Sequence, residues 1–128
     1  MTVDKHVDID WPRLQLHIYI DTARGDVEEF FVSLEYNLQS AVMQPDDWCE
    51  IARFDHNPSS PAGHDITQEG LHLDLLNMDG SKHRVKTAFP AMPANHAPKY
   101  CREFFERRGE AIAEHFERRE NINGHYRP

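Results

Sequence analysis

From Leu14 the chain alternates, with Leu14, Leu16, Ile18 and Ile20 on one side and Gln15, His17, Tyr19 and Asp21 on the other. A period of two marks an extended strand with one buried face. "DTARGD" follows as a turn, where Gly25 can take a positive φ. The run "VEEFFVSLEYNL" sorts Phe30, Val32, Leu34 and Tyr36 from Glu29, Phe31, Ser33 and Glu35. Its Glu and Leu content also suits a helix, but Phe-Phe-Val-Ser at the centre favours a strand. "QPDD" breaks the chain, "WCEIARFDH" reads as a third strand and "LHLDLLNM" as a fourth. Asp79-Gly80 then turns the chain into a fifth, "KHRVKTAF".

The pattern changes at Pro90. "PAMPANHAP" carries no strand signal, and Pro98 suits a first helical position. In "KYCREFFERRGEAIAEHFERRE" the residues Tyr100 or Cys101, Phe104, Phe105, Ile112 and Phe116 recur at spacings of three, four and seven, one apolar stripe of a helix. Gly109 lies near the stripe, where a close approach to a sheet would explain a residue that disfavours helix. The expectation is α+β: an antiparallel meander of four to five strands with one long C-terminal helix packed on one face. Residues 1–128 read as a single domain, with 1–12 a flexible N-terminal segment and 121–128 a fraying tail.

A single helix covers one face of such a sheet, so the other must meet water, a partner or a ligand. If Leu71, Leu73 and Leu75 lie under the helix, His72 and Asp74 point the opposite way. Arg53 and Asp55 share that face on the preceding strand, and His17, Tyr19, Ser33, Glu35, Arg84 and Lys86 are expected to join them. The long connection "HNPSSPAGHDITQEG" adds His56, His64 and Asp65 near one end of the sheet.

Composition narrows what this face can do. Charged residues make up 28% of the chain and the net charge is −8, which argues against bulk, sequence-independent nucleic-acid binding. Cys49 and Cys101 lack CxxC spacing and read as free thiols in a reducing cytoplasm. No apolar run reaches a membrane-spanning length.

Three chemistries compete for the polar face. Opposite charges across strands, Arg53 with Asp74 and Asp55 with Arg84, would serve solubility and register alone. Acid–base cleavage of a phosphodiester would use His64 and His72 as proton carriers, Asp55 or Asp74 to orient them and Arg53 to hold phosphate. His17, Tyr19 and Arg84 would contact substrate. Metal binding by His64, Asp65, His72 and Asp74 has the ligand types but no diagnostic spacing, so neither metal nor cofactor is assigned.

The segment "ARFDHNPSSPAGHDITQEGLHLDLL" resembles small TumE-like proteins of toxin–antitoxin pairs, in which Arg-aromatic-Asp is followed by a proline-containing loop and histidines leading into a strand. Arg53-Phe54-Asp55, Pro58, His64 and His72 stand at the matching places, although "GHDITQEGLH" spreads the histidines that are usually adjacent. The resemblance covers about a fifth of the chain and implies a toxin-like, metal-independent ribonuclease with an RNA substrate and an antitoxin-like partner. The alternative is a non-enzymatic interaction module or homodimer, using the sheet face or its last edge strand.

Overall fold

The computed structural model describes residues 1–38 and 47–122. The period-two runs form one antiparallel sheet in which each strand lies beside its neighbours in sequence: β1 (Thr2–Asp10), β2 (Leu14–Ala23), β3 (Asp26–Asn37), β4 (Trp48–His56), β5 (Leu73–Leu76) and β6 (Lys82–Lys86). A short turn of helix, α1 (Ile66–Glu69), interrupts the connection between β4 and β5, and α2 (Ala97–Arg119) follows β6. No helix among the described residues is long and apolar enough to cross a membrane.

The sheet therefore has six strands, not four to five. The extra strand is β1, in the segment expected to be flexible. Val3, Val7 and Ile9 do alternate with charged residues, but Lys5 interrupts the apolar series. An edge strand pairs on one side only, so a charged, half-apolar run suffices for it. The expected break at residues 44–47 and the fraying tail at 121–128 fall largely outside the described residues.

Two hairpins follow the turn chemistry of the sequence. Arg24 and Gly25 join β2 to β3 with φ of 55° and 82°, both left-handed, which suits the right-handed twist of the flanking strands. Gly80 takes φ 87° in the turn before β6. The segment with Phe-Phe-Val-Ser at its centre is a strand, β3, as that centre favours.

The register sorts side chains into rows across the sheet. Ile18, Val32, Phe54 and Leu73 form one row on the face beneath α2. His6, His17, Ser33, Arg53 and Asp74 form a row on the opposite, open face. A bulge at Ile51 modifies the pattern: Ile51 and Ala52 are both fully buried, and Glu50 turns to the open face with Arg53.

Arg84 and Lys86 depart from expectation. Arg84 pairs with Leu75 and Lys86 with Leu73, so both project on the helix side, where they border a cleft of about 690 Å³ floored by Leu73, Leu75, Phe104 and Ile112. "KHRVK" has no apolar face to fix its orientation, and the hairpin register decides it. Asp55 and Arg84 consequently stand on opposite faces and form no pair.

α2 buries Cys101, Phe105, Gly109, Ala113 and Phe116, while Phe104 and Ile112 flank this stripe. Phe105 lies 5.2 Å and Phe104 5.4 Å from Phe54, ring centre to ring centre. A polar cluster crosses this interface. Tyr36 donates to Glu117 at 2.6 Å, and the buried Arg13 guanidinium pairs with Glu110 and lies 3.7 Å from Glu117. Removing Glu117 would take this acceptor from the buried Tyr36 hydroxyl.

Close approach does not account for Gly109. A Cβ there would meet Leu34 at 3.7 Å and Ile9 at 3.8 Å, ordinary contact distances. Gly109→Ala should therefore stabilise the protein by roughly 1 kcal/mol, the difference in helix propensity. Urea denaturation of the two proteins checks this, and a lower midpoint for the variant would contradict it.

Candidate functional site

The open face carries a continuous hydrogen-bonded chain at the end of β4. Arg53 and Asp55 alternate with Ala52 and Phe54, whose burial under α2 fixes their direction. Arg53 Nε donates to Asp55 Oδ2 at 3.1 Å. Asp55 Oδ1 lies 3.2 Å from His64 Nδ1, and His64 Nε2 lies 2.8 Å from His72 Nδ1. At the outer end, His72 Nε2 lies 3.2 Å from the Glu69 carbonyl. Four of the five expected catalytic residues thus converge.

The loop that delivers His64 is held by Asn57. The Asn57 side-chain oxygen accepts from the His64 amide at 2.7 Å, and the Asn57 amide donates to the His64 carbonyl at 2.8 Å. A Cβ on Gly63 would fall 1.9 Å from the Asn57 carbonyl oxygen, so only glycine fits there. Asp65 caps α1, accepting from the Thr67 hydroxyl and amide, and these bonds, led by the hydroxyl, draw its pKa below the usual carboxylate value. Asp65 is therefore committed to the loop's own structure. His72 precedes β5, but Leu71 and Leu73 on either side are buried and turn it outward.

Hydrogen-bond counting constrains the protons of this chain. Glu69 offers a carbonyl, so His72 Nε2 must donate, and a neutral His72 then presents a bare Nδ1. His64 Nε2 must donate to that atom, while His64 Nδ1 faces a carboxylate. All three contacts are satisfied together when one extra proton is held between Asp55 and His64. The geometry is a hydrogen-bonded chain of titratable side chains ending at His72.

Asp74 is the expected member that stays apart. It pairs with Arg53 in the backbone register, yet Arg53 bonds Glu50 at 3.2 Å and Asp55 instead. Asp74 Oδ2 lies 3.8 Å from Lys82, and its buried Oδ1 has no hydrogen-bond partner among the described residues. Glu50, brought in by the bulge, also accepts from Ser33 at 2.5 Å. Strict alternation places Glu50 on the wrong face, so the sequence gives no sign of it.

An aromatic surface lies beside this chain. Arg53 sits over the Phe31 ring at 4.5 Å, and Tyr19 stacks on Phe31 with centroids 5.5 Å apart. His17 meets Phe31 edge-on at 4.9 Å. Tyr19 and His17 are on the expected face, whereas Arg84 lies behind the sheet. Desolvation, then the carboxylates of Asp21, Glu29 and Asp4, raise the Tyr19 pKa, keeping its hydroxyl a hydrogen-bond donor.

His64, Asp65, His72 and Asp74 do not gather into a ligand set. Among the described residues, the group that does is His6, His17 and Glu35, at the other end of the open face. Cys101 is buried and desolvation raises its thiol pKa strongly; Cys49 is half-buried and also raised, chiefly by desolvation and then by Asp47, Glu120 and Glu50. Both thiols are free, and neither is set up as a nucleophile.

A helix-backed antiparallel meander bearing a polar open face defines the class of this domain. The chain belongs to the DUF7718 family, a domain of unknown function, whose profile matches residues 3–122. No curated protein and no solved structure matches it.

On the helix face beneath the loop, His56 is buried and stacks near Phe30. Its Nδ1 accepts from the Ile66 amide at 3.2 Å. Desolvation lowers its pKa, with Asp65 and Asp55 partly opposing the shift. The fold therefore favours neutral His56, and this stability is present above the unfolded value of about 6.5 and is lost as pH falls through the lower folded value. Thermal unfolding should show a melting temperature that drops on acidification below about pH 6.5, with a shallower drop in His56→Gln. Parallel pH profiles for the two proteins would refute the assignment.

Proposed function

We propose that the open face is an acid–base site that cleaves RNA phosphodiesters without a metal ion. The observation that carries this reading is the Asp55–His64–His72 chain with Arg53 tied to the same carboxylate. With the chain's extra proton released to water and both imidazoles protonated on Nδ1, His72 Nε2 is bare; it exchanges the Glu69 carbonyl for the 2′-hydroxyl and takes its proton. The 2′-oxygen attacks phosphorus, the 5′-oxygen leaves with a proton from water, and a 2′,3′-cyclic phosphate remains. Arg53 Nη2, which has no hydrogen bond among the described residues, is available to the phosphoryl oxygens.

The directly bonded imidazoles revise the division of labour. In-line displacement needs acid and base on opposite sides of phosphorus, and two rings joined at 2.8 Å cannot straddle it. His72 is the catalytic residue, while His64 and Asp55 are positioning residues that orient it and share its proton. Tyr19 and Phe31 offer stacking surfaces for an unpaired base, while His17, whose ring face is stacked on His6 at 4.3 Å, lies edge-on beside Phe31. Asp4, Glu29, Glu35 and Glu50 surround this surface, which favours a short unpaired segment engaged through few phosphates.

The similarity of residues 52–76 to TumE-like toxins supports the same reading and adds an antitoxin-like partner. Free thiols and an RNA substrate both fit a cytoplasmic protein. The second reading is an interaction or dimerisation module. Its support is β6, an edge strand exposed along all five residues.

Purified protein should cleave unpaired RNA in the presence of a chelator, with His72→Ala reducing the rate at least about 100-fold. Asp55→Asn should lower kcat with little change in KM. RNA left intact from about pH 5 to about pH 8 would reject the ribonuclease reading, as would full activity in His72→Ala.

A further inference from the structure

At the far end of the open face, three adjacent strands bring together His6 of β1, His17 of β2 and Glu35 of β3. One ligand-type atom from each lies within 4.8 Å of the others. His6 Nε2 is 3.8 Å from Glu35 Oε1, and His17 Nδ1 is 3.9 Å from Glu35 Oε2. Ligand atoms around a tetrahedral zinc ion stand roughly 3.3 Å apart. The His6 and His17 rings stack 4.3 Å apart with 25° between their planes, so the exposed His6 ring must turn out of this stack to direct its lone pair at the ion. We propose that His6, His17 and Glu35 bind a divalent transition-metal ion of the zinc class.

The surrounding hydrogen bonds argue for a cation in this place. His17 Nε2 lies 2.7 Å from Asp4 Oδ1, which fixes that nitrogen as the proton donor. The lone pair of Nδ1 is then turned toward the Glu35 carboxylate, an electrostatic opposition that a cation between them removes. A carboxylate behind a ligating imidazole is a recurrent outer-shell arrangement that orients the ring and raises its basicity. Glu35 is held similarly, its Oε1 accepting from Gln15 at 2.7 Å.

Two imidazoles and one carboxylate suit zinc, cobalt, nickel or iron(II) better than magnesium or calcium, which prefer all-oxygen shells. The side chains are unequally placed: His6 is 52% exposed, while His17 and Glu35 are 25% and 17% exposed. The site is thus open on the β1 side, and water completes the coordination. His17 and Arg53 are two strands apart in one row, about 10 Å at ordinary strand spacing. The metal site is therefore separate from the Asp55–His64–His72 chain, and neither inference depends on the other.

A proton on His17 Nδ1 would relieve the same opposition, and the experiment must distinguish the two. Full-length protein carrying no histidine tag, stripped with chelator, is titrated with Zn²⁺ by calorimetry and with Co²⁺ by visible absorption. The expected result is one equivalent bound with a ligand-field spectrum, abolished in His17→Ala and in Glu35→Gln. Asp4→Asn should weaken binding about 10- to 100-fold. His64→Ala should bind as the parent does, and circular dichroism establishes that each variant is folded. The proposal is overturned if the parent binds neither ion, if folded His17→Ala and Glu35→Gln bind as tightly as the parent, or if binding disappears in His64→Ala. Because the ribonuclease assay is run in chelator, failure of that activity leaves this measurement unaffected.

Discussion

One packing constraint governs the molecule: a single helix can cover only one face of the sheet. Leu16, Ile18, Val32, Leu34, Ala52, Phe54 and Leu73 accept that cover, and their burial removes apolar surface from water. Because successive strand side chains point in opposite directions, burying these residues also determines what stands on the other face. A row containing two histidines, an arginine and a buried aspartate follows from the same geometry that builds the core.

The open face gains its local order from bonds that the core does not supply. Asn57 fixes the loop around His64, Asp65 starts α1, and His56 accepts from the same short helix through the far side of the sheet. These contacts hold a long connection in one shape, so two imidazoles separated by eight residues can touch. The consequence is an ordered hydrogen-bonded chain on the open face. At the opposite end of the face, rigidity comes from strand pairing itself, since β1, β2 and β3 each contribute one side chain.

The parts legible in the sequence were those with a dominant period. Leu14 to Ile20, Phe30 to Tyr36 and Leu71 to Leu75 announce both the strands and their buried faces, which turned His72 outward. Arg53 and Asp55 followed from their alternation with Ala52 and Phe54, and His64 from the titratable groups in the long aperiodic connection. Strand β1 was harder to read, because Lys5 breaks its apolar face and an edge position tolerates that. Arg84 was misplaced since β6 has no hydrophobic side to orient it. Glu50 escaped notice because the bulge at Ile51 shifts the pleat by one residue, a local event that no alternation encodes.

Sequence alone determined the class of fold, the course of the meander after residue 14, and the collection of titratable groups on the uncovered face. These follow from hydrophobic periodicity, a local property of the chain. Tertiary structure alone decided which of those groups touch: His64 with His72, Arg53 with Glu50 in place of Asp74, and His6 beside His17 and Glu35. Such pairings depend on strand register, a bulge and a folded loop, whose energies come from contacts between residues distant in sequence.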